Sequence, residues 1–182
     1  MEKSDLRKYL FSVRASTADR DRKDKRIAAE AIAVAQAYRT IFCYVSMGNE
    51  ASTRDILREF LANKSVYVPY TDTQFCMTAR RLLPHTELDC DNRGNVFPVG
   101  EPLSESAEVI FVPLLGYNRD GYRIGYGAGC YDRYFARYPS GHKVGLAYRE
   151  QCIEDWRPDA TDIPLDCILT PDEIVIPHRK RS

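Results

Sequence analysis

Apolar residues along this chain follow two spacings. Near the N terminus, Ile27, Ala31, Val34 and Tyr38 recur at i, i+4, i+7 and i+11, the stripe by which a helix faces a core. That spacing predicts a helix over about residues 19–37. A shorter helix precedes it, with Ser4 as N-cap and an end near Val13. Short apolar runs follow at Ile41–Val45, Ser65–Pro69, Val109–Pro113 and Lys143–Ala147, with lesser ones at Phe75–Ala79, Asp166–Leu169 and Glu173–Ile176. Runs without polar alternation read as strands covered on both faces. Ser52 reads as the N-cap of a helix carrying Ile56, Leu57, Phe60 and Leu61, and a last short helix spans Tyr131–Arg137. Residues 84–107, rich in Pro, Gly, Asp and Asn, read as loop. Strands alternating with helices predict the α/β class: three layers, a mostly parallel sheet with helices on both faces, and a single domain over 1–182.

Composition adds constraints. At 182 residues and 44% apolar, the chain can build one sizeable core. Lys and Arg number 26, and so do Asp and Glu, so the formal net charge is zero. A protein that coats nucleic acid needs a basic excess to displace counterions, so zero net charge argues against that class and no nucleic-acid partner is expected. The neutral total hides two unlike ends. Residues 1–26 hold nine basic and five acidic side chains, whereas residues 154–173 hold seven acidic and one basic. The basic tail His178-Arg179-Lys180-Arg181 is the remaining weak argument for nucleic acid. Six scattered cysteines form no CxxC pair, which fits reduced thiols better than a zinc site or a disulfide scaffold. The apolar runs are too short for a secretory or membrane-spanning segment, so a cytoplasmic location and no membrane partner are expected.

Candidate chemistry gathers late in the chain. Seven of the ten glycines and seven of the twelve tyrosines fall within residues 116–148. Their centre is Arg123-Ile124-Gly125-Tyr126-Gly127-Ala128-Gly129-Cys130-Tyr131-Asp132-Arg133. Closely spaced glycines let successive N–H groups converge on an anion, and a helix starting near Tyr131 adds its positive end. Asp132 suits Mg²⁺, while Arg123 and Arg133 suit phosphate. A glycine-rich surface turn is the competing reading. A dinucleotide fold fits poorly, because the strand at Val109–Pro113 ends about ten residues before these glycines.

Three strings together carry a family resemblance. They are Tyr44-Val45-Ser46-Met47-Gly48-Asn49-Glu50-Ala51-Ser52-Thr53, the Gly121–Arg133 segment after Pro113, and Gly145-Leu146-Ala147-Tyr148-Arg149-Glu150-Gln151. With Lys3, Arg7, Asp162 and Asp166 in matching order, the chain resembles 5-formyltetrahydrofolate cyclo-ligases along nearly its whole length. The resemblance implies the fold class of ribose-5-phosphate isomerase and CoA-transferase domains. It implies conversion of 5-formyltetrahydrofolate to 5,10-methenyltetrahydrofolate, with ATP and Mg²⁺ required and ADP and phosphate released. It further implies that Lys3, Arg7, Arg123 and the loop residues Gly125, Tyr126, Gly127, Ala128, Gly129, Cys130 and Tyr131 contact ATP. Met47, Glu50, Tyr148 and part of the same loop, from Tyr126 to Cys130, would contact the folate, with Gln151 nearby. Arg123, Tyr131 and Asp132 would be catalytic, and Asp132 and Asp162 would hold the metal. Many members carry Gly or a basic residue in place of Ala128 and an aromatic in place of Cys130. The expected partners are small molecules, bound by a monomer or weak homodimer. A binder of nucleotide or folate without turnover is the rival reading.

Overall fold

A computed structural model describes residues 2–177, so the tail from His178 to Arg181 lies outside the described residues. In chain order the helices are α1 (Lys3–Ala15), α2 (Arg20–Ala35), α3 (Arg54–Leu61) and α4 (Cys130–Arg137). The strands are β1 (Thr40–Cys43), β2 (Ser65–Thr71), β3 (Met77–Leu82), β4 (Val99–Pro102), β5 (Val109–Val112), β6 (Gly116–Tyr117), β7 (Arg123–Ile124), β8 (His142–Leu146), β9 (Cys167–Leu169) and β10 (Ile174–Val175).

Eight strands form one sheet in the order β10-β9-β8-β5-β1-β2-β3-β4. The central run β9-β8-β5-β1-β2 is parallel, while β10, β3 and β4 pair antiparallel at the two sides. Side chains alternate across the sheet, as strand geometry requires. Ile41 and Cys43 of β1 join α2 and α3 in one core, with Ile27, Ala31, Ile56, Leu57 and Phe60. Phe42 between them joins α4 on the other face, with Tyr134, Phe135, Ile110 and Ile168. The expected three layers are therefore present in one body. β6 and β7 form a separate two-stranded hairpin. Ile124 of that hairpin and Leu115 just before it pack against Leu6 and Leu10 of α1. Among the described residues no helix is long and apolar enough to cross a membrane.

Several boundaries differ from the sequence expectation for local reasons. Helix α1 begins at Lys3, with Glu2 at the cap position, so Ser4 lies inside it. Thr53, not Ser52, is at the cap position of α3. Its hydroxyl is turned back to the Tyr44 carbonyl at 2.8 Å and accepts the Ser46 N–H at 3.1 Å, which pins the end of β1 to the start of α3. Strand β4 sits in the segment read as loop. It is short, edge-bound and poor in apolar residues, so it carries no hydrophobic signal.

The chain leaves β1 toward β2 on one side, then returns to place β5 on the other. Strand order thus reverses between β1 and β5, and open α/β sheets place ligands at such a switch, beyond the carboxyl ends of the strands. The segments leaving those ends are Tyr44–Glu50 and Pro113–Leu115.

Candidate active site

Helix α1 lies across this switch. Its inner face presents Lys3, Leu6, Arg7, Leu10 and Arg14, a single 0, 3, 4, 7, 11 stripe. The two leucines anchor it, and the three cations reach three parts of the site. At 1.5 Å per residue, Lys3 and Arg14 stand about 16 Å apart along the helix.

Arg14 is 2% exposed, an unusual place for a guanidinium. It donates to Asn49 Oδ1 at 2.9 Å, to the Leu114 carbonyl at 3.1 Å and to the Tyr126 hydroxyl at 2.8 Å. Tyr126 in turn donates to Glu50 Oε1, while Glu50 Oε2 accepts the Met47 N–H at 2.8 Å. Glu50 is 6% exposed. Tyr126 keeps about half its surface in solvent, yet its hydroxyl is turned inward. Burial and the Glu50 charge push that hydroxyl's pKa far above the usual phenol range, with Arg14 opposing. Arg20 holds the backbone of the same turn through the carbonyls of Asn49 and Glu50. Arg14, Glu50 and Tyr126 therefore join α1, the loop after β1 and the glycine-rich loop.

Arg7 donates to the Gly125 carbonyl at 3.1 Å and lies beside Gly127. Gly127 has φ +105° and Gly129, at the cap of α4, φ +65°, whereas Ala128 between them has no positive φ. Alternating φ sign is what directs successive N–H groups to one point, and Ala128, between the two positive-φ glycines, sits where a Cβ is tolerated. Cys130 is the first residue of α4, and its Sγ lies 3.5 Å from the Phe75 carbonyl. Burial pushes its thiol up, with Arg133 opposing and the nearby Cys76 adding. Tyr131 stacks on Phe42 with centroids 6.2 Å apart, and its buried hydroxyl has no hydrogen-bond partner. Burial first, with the nearby Cys43 thiol and the Glu50 carboxylate adding, holds that hydroxyl well above the usual phenol range.

Lys3 is bound by Asp159 at 2.5 Å and Asp162 at 2.9 Å, under the Trp156 ring. Burial alone would lower its ammonium pKa, but the bonds and charges of the two carboxylates hold it above the usual lysine value. Asp132 Oδ1 accepts the Ile163 N–H at 3.0 Å and pairs with Arg123 at 2.9 Å. Arg123 also donates to the Ile163 carbonyl at 3.0 Å and lies over the Phe135 ring. The two acids expected to hold a metal thus meet at the Asp162–Ile163 peptide, each against a cation. Among the described residues no group of three or more potential ligands forms a dedicated metal cage. Mg²⁺ usually takes one or two carboxylates and completes its shell with phosphate and water. The Asp132 and Asp162 donor set fits a metal that arrives with a polyphosphate.

Tyr148, expected to contact the folate, is fully buried, and its hydroxyl donates to Asp24 Oδ1 at 2.6 Å, which ties it to α2. Gln151 is a strut too: its amide donates to the Leu114 and Leu115 carbonyls at 3.0 Å each, and its oxygen takes the Tyr148 N–H. Gln151 holds the exit of β5 in place. Arg14 was missed in the sequence, although its position on the Leu6–Leu10 stripe was a usable signal. Asn49 and Arg20, which complete the turn, carried none.

The fold and site are those of a three-layer α/β protein whose acids, buried cations and glycine-rich loop gather at one switch point of the sheet. Comparison with known proteins gives the family. Residues 1–171 match the 5-formyltetrahydrofolate cyclo-ligase family, and the chain belongs to it. A 5-formyltetrahydrofolate cyclo-ligase of Mycoplasma pneumoniae is 30% identical over 176 residues, covering 93% of this chain and 98% of the relative. One from Haemophilus influenzae is 30% identical over 145 residues, covering 72% and 75%. The solved 5,10-methenyltetrahydrofolate synthetase of Aquifex aeolicus superposes with a TM-score of 0.83 at 26% identity, covering 100% of this chain and 96% of that one.

Proposed function

We propose that this chain closes 5-formyltetrahydrofolate to 5,10-methenyltetrahydrofolate, converting ATP to ADP and phosphate. The observation that carries this reading is the Arg14–Tyr126–Glu50 contact. It sets the loop suited to phosphate against Glu50, a buried acid suited to the paired N–H donors of a pterin.

The chemistry needs these parts. A formamide oxygen is a poor leaving group, and resonance dulls the attached carbon. In the proposed sequence that oxygen attacks the γ-phosphorus and ADP departs. N10 of the folate then adds to the activated carbon and loses its proton, and the C–O bond breaks to release phosphate. Such a reaction asks for positioning and charge neutralisation rather than a protein nucleophile. Lys3, Arg7 and Arg123 supply positive charge, and the N–H groups from Gly127 to Cys130 cradle a phosphate. Glu50, held by Met47 and Tyr126, orients the pterin beside Met47. The buried, unpaired Tyr131 hydroxyl offers a donor at the same switch point. Asp132 and Asp162 would hold Mg²⁺, which supplies neutralisation of polyphosphate charge. Its partners on this reading are ATP and the folate, met in the cytoplasm by a monomer or weak homodimer.

The test is the absorbance of the methenyl product formed from 5-formyltetrahydrofolate, ATP and Mg²⁺. Product that depends on ATP is expected; folded protein that forms none would refute the proposal.

A further inference from the structure

We propose that Cys76 and Cys130 are a thiol modification site, oxidised by a low-molecular-weight disulfide to an intrachain bond that disables the glycine-rich loop. The two cysteines come from elements far apart in sequence. Cys76 closes the turn between β2 and β3 and is exposed; Cys130 opens α4 and is half-buried. The Cys130 Sγ lies 3.5 Å from the carbonyl oxygen of Phe75, whose carbon is bonded to the Cys76 nitrogen. A carbonyl oxygen sits about 2.8 Å from the next Cα, so the Cys130 sulfur lies within about 6 Å of the Cys76 Cα. Bridging the two sulfurs takes side-chain rotation together with movement of the exposed turn.

The surrounding bonds hold this juxtaposition. Arg133 donates to the Phe75 carbonyl and to the Ala128 carbonyl, both at 2.8 Å, stapling the turn to the glycine loop. Asp72 Oδ1 accepts the N–H groups of Gln74 and Cys76 at 2.9 Å each, which fixes the backbone at Cys76. The other four thiols differ. Cys43 and Cys167 are buried, and among the described residues the hydrogen bonds of Cys90 and Cys152 include none to a residue beside another cysteine.

The chemistry balances as thiol–disulfide exchange. The Cys76 sulfur loses its proton and attacks one sulfur of a disulfide such as oxidised glutathione, releasing one thiol. The Cys130 sulfur, losing its proton, attacks Cys76 in the mixed disulfide and releases the second. Two protein thiols are oxidised and one external disulfide is reduced to two thiols. The new bond ties the first residue of α4 to the β2–β3 turn, displacing the glycine at its cap from the geometry that directs N–H groups to an anion. Bond formation does not depend on what the loop binds; the effect on ligand binding rests on the proposed nucleotide role.

The full chain should be incubated with oxidised glutathione and digested without reduction. Mass spectrometry should show the peptides of Cys76 and Cys130 joined and two hydrogens lighter. ATP affinity, measured by calorimetry, should fall about tenfold or more and return with dithiothreitol, whereas Cys76→Ser should bind ATP equally with and without the oxidant. Glutathione retained on Cys76 with no cross-link, a cross-link to another cysteine, or unchanged ATP affinity of cross-linked protein would overturn the proposal. Reduced protein that binds no ATP would instead count against the nucleotide reading, while the cross-link is scored by mass alone.

Discussion

Replacing Glu50 by Gln is the sharpest test of the folate side, because it keeps shape and removes charge. Both carboxylate oxygens are engaged, one by the Met47 N–H at 2.8 Å and one by the Tyr126 hydroxyl. A glutamine keeps one acceptor and gains a donor. With its oxygen on Met47, its NH₂ faces a hydroxyl that already accepts from Arg14 at 2.8 Å. The hydroxyl then accepts twice and loses a partner for its own proton. Two charge-assisted bonds become one neutral bond and one mismatched contact, a loss of about 2 kcal/mol in stability. For a chain of this length that lowers Tm by about 4–8 °C. A pterin edge meeting the amide instead of the carboxylate faces a donor opposite a donor. The added loss of about 2–3 kcal/mol weakens folate binding by roughly 30- to 150-fold. Thermal unfolding reads the first effect, and calorimetric titration with 5-formyltetrahydrofolate at a temperature where the variant is folded reads the second. A variant that melts early but binds folate as tightly as the parent would show that Glu50 only closes the Met47–Glu50 turn, and would refute the assignment.

Asp132→Asn should lower turnover by about a hundredfold while folate affinity holds, since charge at the phosphates is what it removes. It should also cost about 1–2 kcal/mol in stability, because the buried Arg123 then faces a neutral amide oxygen in place of a carboxylate, beside the Ile163 carbonyl and the Phe135 ring; steady-state kinetics and thermal melts separate the two. Gly127→Ala places a Cβ 3.3 Å from the Arg7 guanidinium at φ +105°, so ATP affinity should fall about tenfold with the fold retained; unchanged affinity measured by calorimetry would exclude the loop as an anion cradle. Lys3 has a raised folded pKa, so its ion pairs with Asp159 and Asp162 stabilise the protein at neutral pH and are lost as pH climbs past 10.5 and through the folded value. The Tm difference between the parent and Lys3→Gln should therefore be constant from pH 7 to 9 and shrink above pH 10.5.

Much of this protein was legible in its residues because periodicity is local. The helical stripe around Ile27, the β1 and β5 runs and the glycine spacing each depend on neighbours within a dozen positions, and each placed an element or a loop. Composition gave a neutral total with a basic start and an acidic end. The tertiary structure decided that these two ends meet, with Lys3 against Asp159 and Asp162 across more than 150 residues of chain. It decided that Tyr148 and Gln151 face inward as struts, since a side chain's direction at a strand exit depends on what packs over it. It decided as well that Arg14 is the buried centre of the site. A basic residue in a helix reads as solvated until the partners that satisfy it are known, and Asn49, Leu114 and Tyr126 lie 35, 100 and 112 residues away. Local patterns set the elements of this protein; contacts between residues distant in sequence, which no local pattern encodes, set its site.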